Sequence, residues 1–212
     1  MRSISEEEKQ KRRRMILEAA KKRFQRFGYV KTTMEEIAGD AGISKGTAYL
    51  YFQNKEDLFY ELLEKEARDM ERFLYHRVKD EESVVKQLEM IFTGALEYLE
   101  DHPFLDSMLR RDVDLVTPRI LKHIFSVEDR YVSVIEDYLR RGMAKGEIEP
   151  LNPYIAAYIL YRIFESFSYA STLKKEGFDK EEVMVFVPRL IRKALAPEKP
   201  GPEKKAARKR RS

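Results

Sequence analysis

Residues 44–51, SKGTAYLY, hold the side chains of this 212-residue chain best suited to chemistry. That chemistry is recognition rather than bond making. Lys45 can donate to guanine acceptors, the Thr47 methyl can meet a thymine, and Tyr49 offers a ring and a hydroxyl. Gly46 lets the backbone approach a partner closely. Thr33, Ser44, Tyr51 and Lys55 carry hydroxyls or an ammonium suited to phosphate oxygens. A small, polar, basic helix front on a packed support is what the DNA major groove accepts. The plainer alternative is a helical hairpin with a solvated face. Two tyrosines with no acid on that face, and basic flanks, favour DNA.

Several elements must position these groups. Thr33 can cap a short helix whose first turn holds Glu35 and Glu36, matching the helix dipole. Ile37, Ala38 and Ala41 form its apolar face. Gly42 can end it in a left-handed turn. Ser44 can cap the next helix, Lys45 to Phe52, in which Ala48 and Phe52 share an inward face. Upstream, a long helix opens with Lys11, Arg12, Arg13 and Arg14, a run suited to phosphates. It carries the stripe Ile16, Ala19, Ala20, Phe24, Phe27 as a brace and ends at Gly28. Asn54 starts another helix, about 55–76, which leads from this head into the rest of the chain.

Residues 15–62 resemble the DNA-binding domain of the TetR family of transcriptional repressors. The matching features are ILEAAKKRFQRFGY, the paired threonines before the second helix, the IAxxAGIS turn and KGTAYLYFQNKEDL. The sequence departs from the usual pattern at Ala48, at Tyr51 and at Gly39-Asp40. The resemblance implies an all-α, nine-helix, TetR-like fold: a three-helix helix-turn-helix head and a six-helix effector and dimerisation body. It implies a homodimer whose last two body helices form a four-helix bundle, with two heads about 34–36 Å apart on a palindromic double-stranded DNA operator. It also implies that the 55–76 helix links the head mechanically to a cavity among the helices beginning near 84, 118 and 153.

Charge is divided along the chain. Residues 1–55 carry 13 Lys/Arg against 7 Asp/Glu, residues 197–212 carry 7 against 2, and the middle carries 21 against 28. Basic ends suit a polyanion, while an acidic middle would be repelled by one. There is no cysteine, hence no disulfide, thiolate nucleophile or Cys-based zinc site. His76, His102 and His123 lack metal-ligand spacing, and neither a glycine-rich phosphate loop nor a GxSxG elbow appears. An enzyme, a cofactor and a metal are therefore not expected. Without a long apolar run or a signal-peptide core, no membrane partner is expected, and the cytoplasm is the expected location.

The body reads as helices at about 84–101, 103–110, 118–144, 153–173 and 179–195, with Pro188 kinking or shifting the last. The expected organisation is a flexible 1–10, a DNA-binding head over 11–53, a body over 54–196 and a disordered basic tail over 197–212. The 153–173 helix is apolar nearly all round, so it is buried on more than one side. Effector-contact candidates are Phe92, Leu96, Met108, Leu121, Phe125, Tyr131, Ile135, Tyr158, Tyr161, Arg162, Phe164 and Glu165. Arg162 and Glu165 must pair, sit at a subunit interface or face a ligand. The expected function is a ligand-responsive repressor released by a small lipophilic effector, either a fatty acyl or an aromatic compound. The alternative is a DNA-binding regulator whose body binds proteins instead.

Overall fold

The structure, a computed structural model, describes residues 5–105, 118–168 and 179–197. No strand occurs among these residues, and eight helices have both bounds within them: α1 (Glu6–Phe27), α2 (Met34–Asp40), α3 (Lys45–Tyr51), α4 (Lys55–Val78), α5 (Val84–Asp101), α6 (Pro118–Ala144), α7 (Pro153–Ser168) and α8 (Lys180–Leu195). The short helix expected from Pro103 begins at 103–105. Its remainder lies outside the described residues, as do 169–173 of the expected 153–173 helix and the tail from residue 198.

Side-chain caps set most of these boundaries. Thr33 and Glu36 form a reciprocal capping box at α2, Ser44 accepts from the Thr47 amide at α3, and Asn54 accepts from the Asp57 amide at α4. Each satisfies an amide that the helix itself leaves unpaired. Gly28 and Gly42 adopt φ of 78° and 68°, a backbone region open to glycine at low cost, where α1 ends and where α2 turns into α3. One boundary differs from the sequence reading. The chain is helical from Glu6 rather than from Lys11, because Ser5 caps the helix and Glu6, Glu7 and Glu8 sit at its positive end. Pro188 lies inside a continuous α8 and is buried there.

Helices α1, α2 and α4 are tied together by charge as well as by packing. Arg23 on α1 reaches Glu36 at 3.0 Å and Asp40 at 2.6 Å on α2. Lys21 donates to both carboxylate oxygens of Glu66 on α4 at 2.9 Å, and Glu66 is only 2% exposed. Removing Lys21 would leave that carboxylate buried with, among the described residues, Lys65 3.9 Å away in reserve. Lys21→Met is accordingly expected to cost about 3 kcal/mol of unfolding free energy, measured by urea denaturation. A Lys21→Met, Glu66→Met double variant should recover most of it.

Two apolar clusters fill the molecule. The first runs from Ile16, Phe24, Ile37 and Ala48 through Leu58, Phe59 and Leu62 to Leu99, Phe104 and Ile120. Its aromatic spine is Phe24–Phe59–Phe104, with ring centroids 5.6 and 5.9 Å apart in edge contacts. The second joins Val84, Leu88 and Phe92 on α5 with Leu139, Tyr161, Val187 and Ile191. Packing around α4 thus continues from the head into the body.

Candidate nucleic-acid interface and ligand cavity

The helix α3 has one inward row and one outward row. Ala48 is fully buried and Phe52, four residues on, nearly so. At 100° per residue, Gly46 and Leu50 lie opposite Ala48, with Lys45 and Tyr49 on one flank and Thr47 on the other. Leu50 is 84% exposed and Tyr49 44%. The Thr47 hydroxyl lies 2.8 Å from the Ser44 hydroxyl, which fixes both at the front of the helix. Lys45 pairs with Glu35 of α2 at 3.2 Å, but both side chains are more than half exposed. Such a pair is worth about 0–1 kcal/mol and yields readily to a stronger anion.

Behind the head, α4, α5, α6 and α7 surround a cavity of about 270 Å³. Its wall is mostly apolar: Leu63, Met70 and Leu74 from α4, Leu88, Ile91 and Phe92 from α5, Val127, Tyr131 and Ile135 from α6, Leu160, Tyr161 and Phe164 from α7. Exposed Tyr75 and Val134 also contribute, which places its rim between α4 and α6. Polar groups in the wall are few. The Tyr131 hydroxyl donates to the Ala67 carbonyl at 3.3 Å. The Tyr161 hydroxyl is buried without a hydrogen-bond partner, and burial, with Glu128 and Glu165 nearby, pushes its pKa far up. Glu71 and Glu128 supply the carboxylates.

Comparison with known proteins bears first on the head. Residues 16–62 match the family described as "Bacterial regulatory proteins, tetR family". The uncharacterized HTH-type transcriptional regulator YhgD of Bacillus subtilis is 25% identical over 87% of this chain and 97% of its own. Residues 16–62 are a TetR-family head. The fatty acid metabolism regulator protein of Bacillus subtilis is 24% identical over 66% of this chain and 74% of its own. Among solved structures, the transcriptional regulator FadR from Bacillus subtilis in complex with stearoyl-CoA shares the fold. Its TM-score is 0.73 at 22% identity, over 86% of this chain and 98% of that one. TetR-family regulators are DNA-binding transcription factors, not enzymes. Among the described residues no helix is long and apolar enough to cross a membrane.

Around this TetR-family head, some candidate residues are exposed and others are committed to packing. Thr33, Ser44, Lys45, Gly46, Thr47 and Tyr49 lie along the exposed front of α2 and α3. Tyr51 is half-buried against the first cluster, and its carbonyl accepts from Arg13 at 3.2 Å. Lys55 is a correction. Its ammonium donates to the carbonyls of Tyr29 and Thr32 at 2.7 Å and lies 4.2 Å from the Tyr29 ring centroid. Desolvation lowers its pKa. It fastens α4 to the loop after α1 rather than presenting a charge to phosphate. Arg13 likewise turns inward to Glu61, leaving Lys11 and Arg14 as the exposed cations of that run. Leu50, absent from the sequence candidates, is the most exposed large apolar residue described.

Of the effector candidates, Phe92, Tyr131, Ile135, Tyr161 and Phe164 line the cavity. Leu96 packs in the second cluster instead, Leu121 is absent from the wall, and Phe125 is exposed. Tyr158 faces outward beneath the Arg162 guanidinium, 4.9 Å from its ring. Arg162 and Glu165 are absent from the wall, and Arg162 bridges Glu165 to Glu128, which is part of it. Met108 lies outside the described residues.

His123 stands between α6 and α4, with Nε2 3.2 Å from Glu64 and its ring centroid 4.8 Å from that of Tyr60. Desolvation lowers its pKa, more than Glu64 raises it and with Arg130 adding to the drop. The unfolded chain therefore binds the proton more readily. The neutral ring's contribution to stability is full above the ordinary pKa of about 6.5 and is lost as pH falls toward the folded value. His123→Gln is expected to flatten that part of the stability–pH curve, followed by urea unfolding at stepped pH.

Proposed function

We propose that this regulator is a repressor. It acts as a homodimer in the cytoplasm and leaves a palindromic operator when a small lipophilic effector enters the cavity. A head over about 11–53 holds the DNA, and a body over about 54–196 holds the effector and the partner subunit. The observation that carries this reading is the double service of α4. Leu63, Met70 and Leu74 line the cavity, while Lys55 and Phe59 on the same helix grip the head. A ligand that favours one placement of α4 would move the head as a unit, provided that it binds the two placements with different affinity.

The apolar lining suits a fatty acyl or aromatic molecule, and the cavity of about 270 Å³ falls just below the ~300–1,000 Å³ of ordinary ligand sites, so it favours a slender occupant. The likeness to a fatty acid metabolism regulator and to a stearoyl-CoA complex favours the acyl class. The test begins with selection of an operator from random duplex DNA. Lipophiles that raise Tm are then titrated into the operator complex. The expected result is weaker operator binding as the ligand saturates. A ligand that binds tightly and leaves operator affinity unchanged would refute the switch.

A further inference from the structure

The cavity meets water along one seam. Tyr75 is 61% exposed and Val134 44%, whereas Leu88, Phe92, Tyr161 and Ile191 elsewhere in the wall are buried. Glu71 and Tyr75 are one turn apart on α4, and Val134 and Tyr138 one turn apart on α6, so these four wall residues frame a mouth. Inside, the polar groups are committed. The Tyr131 hydroxyl donates to the Ala67 carbonyl, Glu128 is engaged by Arg162, and the Tyr161 hydroxyl oxygen is buried. Outside, the face of α6 that carries Val134 and Tyr138 continues to Arg141, which is exposed. The Arg141 guanidinium lies 4.2 Å from the ring centroid of Tyr138, which holds it beside the mouth. Among the described residues no carboxylate pairs with it. Glu136 is taken by Arg140, and Asp137, one turn back, forms no ion pair with Arg141.

We propose that the effector is an anionic amphipath lying across the mouth between α4 and α6, its apolar chain inside the cavity and its anionic end outside against Arg141. This rests on the reading of the cavity as the effector site and deepens it. A space of about 270 Å³ takes a slender chain and leaves little room for a polar group besides. A charged end drawn inside would lose its water, and the walls offer mostly carbon in exchange. At the mouth the same end keeps its water and gains a guanidinium. Two of the guanidinium N–H groups can donate together to a carboxylate, phosphate or sulfate. The chain supplies most of the affinity, because each methylene buried is worth about a four-fold gain. The anionic end supplies direction, and its bulk is free to vary.

The test uses three ten-carbon probes on the whole protein: decanol, decyl maltoside and decyl sulfate, all kept below micelle-forming concentrations. Each competes with a fluorescent apolar dye for the cavity. Decanol and decyl maltoside bury the same chain, so the bulky sugar should cost about three-fold or less. Decyl sulfate is expected to displace the dye at concentrations about five-fold below decyl maltoside at low salt. Added salt should erase that advantage. These comparisons need no variant to fold. Arg141→Gln should remove the sulfate advantage and leave decyl maltoside in place. Val134→Trp, at the mouth, should weaken all three. Displacement by decanol but not by decyl maltoside would put the polar end inside and overturn the proposal, with the cavity reading left standing. A sulfate advantage that survives Arg141→Gln would also overturn it. Displacement by none of the three, with the dye bound elsewhere, would remove the cavity reading itself and the proposal with it.

Discussion

Lys45→Ala combined with Tyr49→Ala is expected to weaken operator binding about 100-fold while leaving Tm within a degree or two. The size follows from what each side chain can do in a groove. A well-placed base contact is worth about 1–3 kcal/mol, and two of them span roughly two decades or more in affinity. Stability should hold because neither side chain supports the fold. Tyr49 is substantially exposed, and Lys45 makes only a solvated pair with Glu35. The remaining binding should be the sequence-independent part, carried by exposed cations such as Lys11 and Arg14, and should retain a steep salt dependence. Leu50→Ala adds a finer check. An apolar side chain directly opposite the buried row suits thymine methyls, so the variant should lose preference for thymine at one position of each half-site. Electrophoretic retardation with matched and scrambled duplexes measures the first effect, and repeated selection from random DNA the second. A double variant that retards the operator as well as the parent does would remove α3 from the groove.

The head was legible because its signals are local. Thr33, Ser44 and Asn54 cap helices through bonds spanning three residues, and Gly42 turns the chain where no side chain can help. Lys55 was misread because its partners are distant. The carbonyls of Tyr29 and Thr32 lie 26 and 23 residues back, and no pattern around Asn54 announces them. Arg162 and Glu165 were correctly singled out as needing partners. Glu128, 34 residues earlier, completes the group, and only the packing of α6 on α7 brings it there. Leu50 escaped notice because an apolar residue in a helix is ordinarily assigned to a core. The cavity was half legible for a related reason. Periodicity tells which face of α4 turns inward, but not whether Leu63, Met70 and Leu74 meet another side chain or an empty space.

Charging the outer faces of α7 and α8 should have a larger effect still. Tyr154, Ile155, Tyr158 and Ile159 are all exposed on α7, and their spacing puts them on one stripe; Val185, Phe186 and Leu190 are exposed on α8. Isolated apolar side chains on a surface need no explanation, but stripes of this size on two helices mark an association surface. Both helices pack on α5 from their inner sides, which commits those faces and leaves the stripes for a partner. A second copy of the chain is the partner that a two-headed operator complex requires. In a twofold interface each substitution enters twice, so Ile159→Asp with Phe186→Asp would place four carboxylates where apolar contact formed. Breaking such contacts with unpaired charge costs several kcal/mol, and the dimer constant should rise about a thousand-fold or more. The variant is expected to behave as a 25.1 kDa monomer in sedimentation and to bind the dye in its cavity normally, because neither residue lines it. Operator affinity should fall by a comparable factor, since one head then holds one half-site without the second in reach. A variant that remains dimeric would place the subunit contact elsewhere on the body. A monomer with undiminished operator binding would end the two-headed account of how this regulator holds DNA.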